Sequence, residues 1–234
     1  LTGRTARGRA PDACALLELY ETSVRIFEHA LPTQDYSDRA LDEYQHVCRG
    51  YEALRAAQGG DRHRFLVIVP TADRPRQLRE CLNSLLDLCR LFEYGGCVDG
   101  RYPKVAAMIA DDSKQASSIE QHRELARELT ADGLETQYFG LEEQLSVLDR
   151  LPLSLRERLR NIFGDTNRDA FYHKGHSVMR NIIYLHLQAE HARDRRQLFY
   201  FADSDQEFKV KIGDAGGHGG NGRDVYAVNY FYQL

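Results

Sequence analysis

The sequence predicts an α/β fold: a mainly parallel, Rossmann-like sheet flanked by helices, with a helical extension ahead of it. Three observations predict it. Residues 65–69 (Phe65, Leu66, Val67, Ile68, Val69) form a continuous apolar run, as expected of a strand buried on both faces. Further strand-like runs recur at 104–110, 134–139 and 197–202, separated by segments with helical periodicity. Repeated strand–helix–strand units imply parallel pairing with right-handed crossovers.

Taken in order, residues 1 to about 11 are rich in Arg, Gly and Thr and read as loose. From Asp12 onward Leu16, Leu19, Tyr20, Val24 and Phe27 recur at helical spacing, and Pro32 ends that helix. Tyr36, Ser37 and Asp38 open a second helix with Leu41, Tyr44, Val47, Tyr51 and Leu54 on one face; Gly59 and Gly60 stop it. Residues 1–60 are thus predicted as the helical extension and 61–234 as the main domain. After the first strand, Pro75 suits a first helical turn, and Leu78, Leu82, Leu85 and Leu86 supply an apolar face. The second strand, 104–110, leads to a helix over 119–130 that Asp132 and Gly133 terminate, then to the third strand, 134–139. Residues from about 141 to 172 interrupt the alternation and read as a helical insert, with Leu145, Leu148, Leu151, Leu155 and Leu159 as packing positions. A helix over 177–192 and the strand 197–202 follow. The stretch 213–222 is glycine-rich and reads as a mobile loop, either one that closes over a bound ligand with His218 at its centre or an inert linker. The run 225–232 is β-prone, and sequence ending within it suggests that further residues follow Leu234.

A chain of 234 residues fits one domain with additions better than two. With 42% apolar and 28% charged residues it has the composition of an ordinary globular protein. A net charge of -4 offers no general attraction to nucleic acid or to an anionic membrane. No apolar run approaches the ~18 residues of a membrane span, and the polar, Arg-rich start is unlike a secretory leader. The cysteines Cys14, Cys48, Cys81, Cys89 and Cys97 are odd in number and form no CxxC pair, which suits a reduced, cytoplasmic chain.

In an open α/β sheet ligands bind beyond the carboxyl ends of the strands. Here those ends read Pro70, Thr71, Ala72, Asp73 after the first strand, Asp111, Asp112, Ser113 after the second, and Asp203, Ser204, Asp205 after the fourth. Asp and Ser also follow strands merely as turn formers and helix caps, but three such ends on one edge point to a polar site. Two carboxylates one residue apart can hold a hard cation such as Mn²⁺ or Mg²⁺, and such an ion could bridge the phosphates of a nucleoside diphosphate.

Four motifs fall in one order. The helix opening Arg74-Pro75-Arg76-Gln77-Leu78 continues into Cys81, Leu82, Ser84, Leu85 and Leu86. The turn Asp111-Asp112-Ser113 follows, then Gly175 with Arg180-Asn181, then Asp203 and Asp205. In this the chain resembles the family-2-like group of GT-A glycosyltransferases over roughly residues 65 to 208. The resemblance implies a GT-A-type nucleotide-sugar-binding domain and metal-dependent, inverting transfer of a sugar from a UDP- or GDP-linked donor to an unknown acceptor. It implies that Pro70, Thr71 and Asp73 line the base and ribose pocket, that Asp112 accepts from the base, and that Lys174 and Arg180 approach the phosphates. Asp203 and Ser204 would meet the ribose or donor sugar, and Asp203 with Asp205 the metal. The group's catalytic base is usually an acidic residue after the metal strand. Glu207 and Asp214 are the acidic residues nearest after it, but neither stands in a recognisable motif, so the catalytic residue is left unassigned.

Other readings are weaker. His173 and His176 are spaced HxxH, which is not the HExxH of a zinc protease helix, and no third ligand has the right spacing. No GxxxxGK[ST] or GxGxxG follows a strand, against a P-loop nucleotidase or a dinucleotide dehydrogenase. A nucleotidyltransferase should carry a glycine-rich loop after the first strand, where this chain has Arg74 and Arg76 but no glycine. A non-catalytic module that keeps the nucleotide site is the remaining alternative.

Overall fold

The computed structural model describes residues 12–60, 62–164, 166–191, 195–213 and 222–233. Two helices come first, α1 (Ala13–Ala30) and α2 (Asp38–Ala57), joined by a 3₁₀ turn at Pro32–Gln34. Asp12 caps α1, its side chain accepting from the Cys14 amide. The sheet then begins: β1 (Arg64–Thr71), α3 (Pro75–Phe92), β2 (Val105–Asp111), α4 (Ala116–Ala131) and β3 (Glu135–Phe139). Three short helices, α5 (Leu141–Asp149), α6 (Leu153–Arg158) and α7 (Arg160–Phe163), precede α8 (His176–His191) and β4 (Gln197–Phe201). A hairpin of β5 (Val210–Ile212) and β6 (Arg223–Val225) and the short helix α9 (Tyr230–Gln233) complete the described chain.

The main sheet is four-stranded and all parallel, in the order β3-β2-β1-β4. Alternation along the strands splits the core in two. Phe65, Val67, Val69, Val105, Ala107 and Ile109 face α3 and α4, while Leu66, Ile68, Ala106, Met108 and Ala110 face α8 with α5 and α7. Both faces are covered, which is why β1 and β2 read as unbroken apolar runs. The result is an α/β fold compatible with a Rossmann-like arrangement. Strand order reverses at β1: one neighbour, β2, is reached through α3, whereas β4 is reached from β3 through α8 on the other face. The carboxyl edge beside β1 is therefore the place where a crevice opens.

One sequence expectation needs correction. The run 225–232 is not a continuous strand. Only Val225 pairs, opposite Val210, in a hairpin separate from the main sheet, and the chain then turns into α9. Its aromatic side chains pack inward instead: the Phe231 ring centroid lies 4.8 Å from that of Phe65 and 5.7 Å from that of Tyr94. Burying those rings against β1 and α2 outweighs strand propensity, which favours such residues only where a pleated surface is on offer. Among the described residues no helix is long and apolar enough to cross a membrane. All five cysteines are free thiols, with Cys48, Cys81 and Cys89 buried.

Candidate functional site

The predicted strand ends do meet on one edge. Thr71 pairs with Asp111 across β1 and β2, and the Asp112 amide donates to the Thr71 carbonyl at 2.8 Å. On the other side of β1, Ile68 pairs with Phe201, and the Ala202 amide donates to the Ile68 carbonyl at 3.0 Å. That register carries Asp203 out level with Pro70. Arg180, in the second turn of α8, lays its guanidinium 5.6 Å from the centroid of Phe201, the last residue of β4.

Asp203 and Asp205 are both exposed, and no described side chain pairs with either carboxylate. The turn is held through its backbone: the Gln206 side-chain carbonyl accepts from the Asp203 amide, and the Asp203 carbonyl accepts from the Gln206 amide, each at 3.0 Å. Ser204, between them, is buried at 5% exposure. It is thus turned away from the surface where the resemblance would place a sugar contact. Two unpaired carboxylates suit an oxygen-preferring cation held jointly with a substrate's phosphates, because Mg²⁺-like ions commonly take one or two carboxylates and complete their shell with phosphate and water. Among the described residues no three His, Cys, Asp or Glu side chains are grouped to hold a metal by themselves, His173 and His176 included. Asp214 and His218, with nearly all of the glycine-rich stretch 213–222, lie outside the described residues.

A cleft of about 220 Å³ opens at the ends of β1 and β2 against the start of α8. Pro70, Thr71, Arg74, Asp112 and His176 are among its lining residues. A second cleft, of about 440 Å³, lies between α4, the β3–α5 turn and residues 171–174. Asp112 borders both. It is tied up in a buried ion pair, its Oδ1 2.5 Å from Lys174 Nζ, with side-chain exposures of 8% and 5%. The Lys174 ammonium also donates to the Phe171 carbonyl at 3.1 Å and lies 4.2 Å from the Phe171 ring centroid. Burial lowers the Lys174 pKa below that of an ordinary lysine, although Asp112 opposes the shift. The two residues assigned to base and phosphate from sequence are therefore each other's partners, and the pair forms the wall between the clefts.

Asp73 has a different task from the one expected. Its carboxylate accepts from the Lys114 and Gln115 amides at 3.3 and 3.0 Å, and His173 Nε2 lies 2.7 Å away. Its own amide donates to Ser113 Oγ at 2.7 Å. It clasps the entrance to α4 and lines neither cleft. Burial works against its ionisation, but the hydrogen bonds from His173, Gln115 and Lys114 prevail and hold the carboxyl below the usual carboxylate range. Asp73 and His173 both adopt left-handed backbone, at φ 53° and 49°. Such conformations are uncommon outside glycine and persist where surrounding contacts fix them.

Sequence reasoning missed a buried group beneath this edge. Asp111 Oδ2 accepts from the Tyr138 hydroxyl at 2.8 Å and lies 3.0 Å from Nδ1 of His122, which is fully buried. That nitrogen is close enough for an ion pair but off the angle of a hydrogen bond. Asp111 Oδ1 takes the Ser113 amide at 2.9 Å, and the Asp111 carbonyl takes Gln144 Nε2 at 2.8 Å. Burial raises the Asp111 pKa, yet His122 and Ser113 outweigh it and the net shift is downward. The adjacent acid, Asp111, was visible in the sequence; nothing in the spacing singled out His122, Tyr138 or Gln144 as its partners.

No family model matches the chain, and neither a curated protein nor a solved structure matches it.

Proposed function

We propose that this chain is a GT-A-type glycosyltransferase domain that binds a nucleoside-diphosphate sugar through a divalent cation and passes the sugar to an acceptor. The observation that supports it most is the pair of exposed carboxylates, Asp203 and Asp205, which no described side chain pairs and which follow β4 at the strand-order reversal. Buried or exposed acids elsewhere on this edge have partners. In this reading Asp203 and Asp205 hold the cation, which when bound neutralises charge on the leaving diphosphate. Arg180 adds a fixed cationic fork on the same side, where planar donors suit phosphate oxygens. The nucleoside lies toward Asp112 and the paired clefts. The rigid β1 and β4 ends set the distance between these parts, since both are hydrogen-bonded into one sheet.

Titration calorimetry with UDP and GDP tests the reading. Mn²⁺ is expected to strengthen binding at least about tenfold over EDTA, because a diphosphate and two carboxylates repel without an ion between them. Asp205→Ala should abolish that difference. Equal affinity with Mn²⁺ and with EDTA would overturn the proposal. Release of free sugar from a UDP- or GDP-linked donor by the purified chain separates a transferase from a binding module.

A further inference from the structure

The segment from Asp203 to Phe208, which carries both exposed acids, is held at its two ends by one face of α3. On that helix Cys81 and Ser84 stand one turn apart among Leu78, Leu82, Leu85 and Leu88, and all are buried. The Cys81 thiol donates to the Asp203 carbonyl at 3.8 Å. Burial, with the acids Glu207, Asp205 and Asp203 close by, pushes that thiol up to about 12, so it stays a neutral donor. The Ser84 hydroxyl accepts from the Phe208 amide at 2.9 Å and donates to the Cys81 carbonyl at 2.6 Å.

A serine inside an apolar helix face is unfavourable unless its hydroxyl is satisfied. The bond to the carbonyl one turn back, common for serine in helices, satisfies the donor alone. The other bond reaches 124 residues along the chain to Phe208. Phe208 is 6% exposed, with its ring 6.3 Å from that of Tyr200 and 6.0 Å from that of Tyr230. Ahead of the turn, the Ala202 amide is bonded to β1 at Ile68. Between these anchors Asp203 and Gln206 bond to each other. All of these bonds use the backbone of the turn or the Gln206 side chain. The turn is thus fixed without engaging a carboxylate oxygen of Asp203 or Asp205.

We propose that Ser84 is a positioning residue for the cation site: its hydroxyl, with the Cys81 thiol, pins the turn on α3 so that the Asp203 and Asp205 carboxylates are already in place when a divalent cation arrives. This rests on the reading that those two acids hold the ion of a nucleoside diphosphate. It adds that residues remote from the ion set its affinity. A turn without the clamp would have to be ordered at the moment of binding, and that ordering would weaken the site. Groups that orient metal ligands without touching the metal typically change metal affinity roughly 10–100-fold when they are removed.

The test measures UDP binding to the full chain by calorimetry, in Mn²⁺ and in EDTA, together with amide exchange. Ser84→Ala is expected to weaken binding in Mn²⁺ about tenfold, to leave binding in EDTA unchanged and to speed exchange at the Phe208 amide. Ser84→Thr keeps the hydroxyl and should behave as the parent does. Cys81→Ala frees the other end of the turn and should weaken Mn²⁺-dependent binding several-fold, which decides the matter if Ser84→Ala does not fold. Val24→Ala opens a cavity in α1, at a position 1% exposed, and should lower the melting temperature without changing either affinity. Parent-like binding in Mn²⁺ by Ser84→Ala and Cys81→Ala overturns the positioning role and leaves the cation reading intact. Equal losses in Mn²⁺ and in EDTA overturn it as well, since general damage would then account for them. A parent that binds UDP equally in Mn²⁺ and in EDTA overturns the cation reading, and this role with it.

Discussion

The Asp112–Lys174 pair fixes how the polar edge must be probed. Both side chains are more than nine-tenths buried, so removing either leaves a charge in low dielectric with nothing to offset it. Asp112→Asn is expected to cost roughly 3–5 kcal/mol of stability, while the double variant Asp112→Asn with Lys174→Met should recover most of the loss. Urea denaturation of the singles and the double checks it. Additive losses would mean that the pair is not coupled. The acids and the lysine were each visible in the sequence as polar residues near strand ends. Their pairing was not, because the two positions are 62 apart and nothing local says which buried polar group satisfies which. Asp73 and His173, 100 residues apart, were illegible as a pair for the same reason.

At the scale of elements, hydrophobic periodicity located α1 to α4, α8 and the four parallel strands to within a few residues, because each buries a defined face. It failed at residues 225–232. Aromatic residues serve a strand and a packed turn equally well, and the partners that decide the matter, Phe65 and Tyr94, lie far back in the chain. The start of α4 shows the same dependence on distant sequence. No side chain of its own caps it; Gln115 occupies the cap position without a side-chain bond, and Asp73 supplies the acceptors from the neighbouring loop. Asp73→Gly keeps the left-handed backbone and removes only the carboxylate. It is expected to lose about 1 kcal/mol, the usual worth of a helix cap, and to speed amide exchange at Lys114 and Gln115. Unchanged protection of those two amides would show that the clasp does not hold α4.

On the scale of the whole molecule, the helices ahead of β1 are part of the sheet's own core. Val24, Leu31, Leu41, Tyr44 and Cys48 belong to the same buried cluster as Val67, Leu82 and Ile109. The seam between extension and sheet is aromatic: Tyr44 meets Phe92 at 5.8 Å, Tyr51 meets Tyr232 at 5.9 Å, and Phe231 sits between Phe65 and Tyr94. Arg62 is threaded through it, within 5.6 Å of Tyr51, 5.1 Å of Tyr94 and 5.2 Å of Tyr232, and bonded at 2.6 Å to Glu52, which is 1% exposed. Burial raises the Glu52 pKa even though Arg62 opposes it. Sequence reading separated residues 1–60 from the rest because periodicity reports faces, not what those faces touch. With α1, α2, the sheet and the C-terminal tail sharing one cluster, a cavity at the seam should be felt by all of them together. Phe231→Ala is expected to cost about 3–5 kcal/mol, the range for deleting a buried aromatic ring. Since α1 and α2 share their buried cluster with α3, α4 and one face of the sheet, far-UV dichroism and tyrosine fluorescence should report one coincident urea transition at a lower midpoint. Two separated transitions, with the helical signal persisting after the sheet has melted, would show that α1 and α2 form an independent unit and that the seam is only a contact between domains.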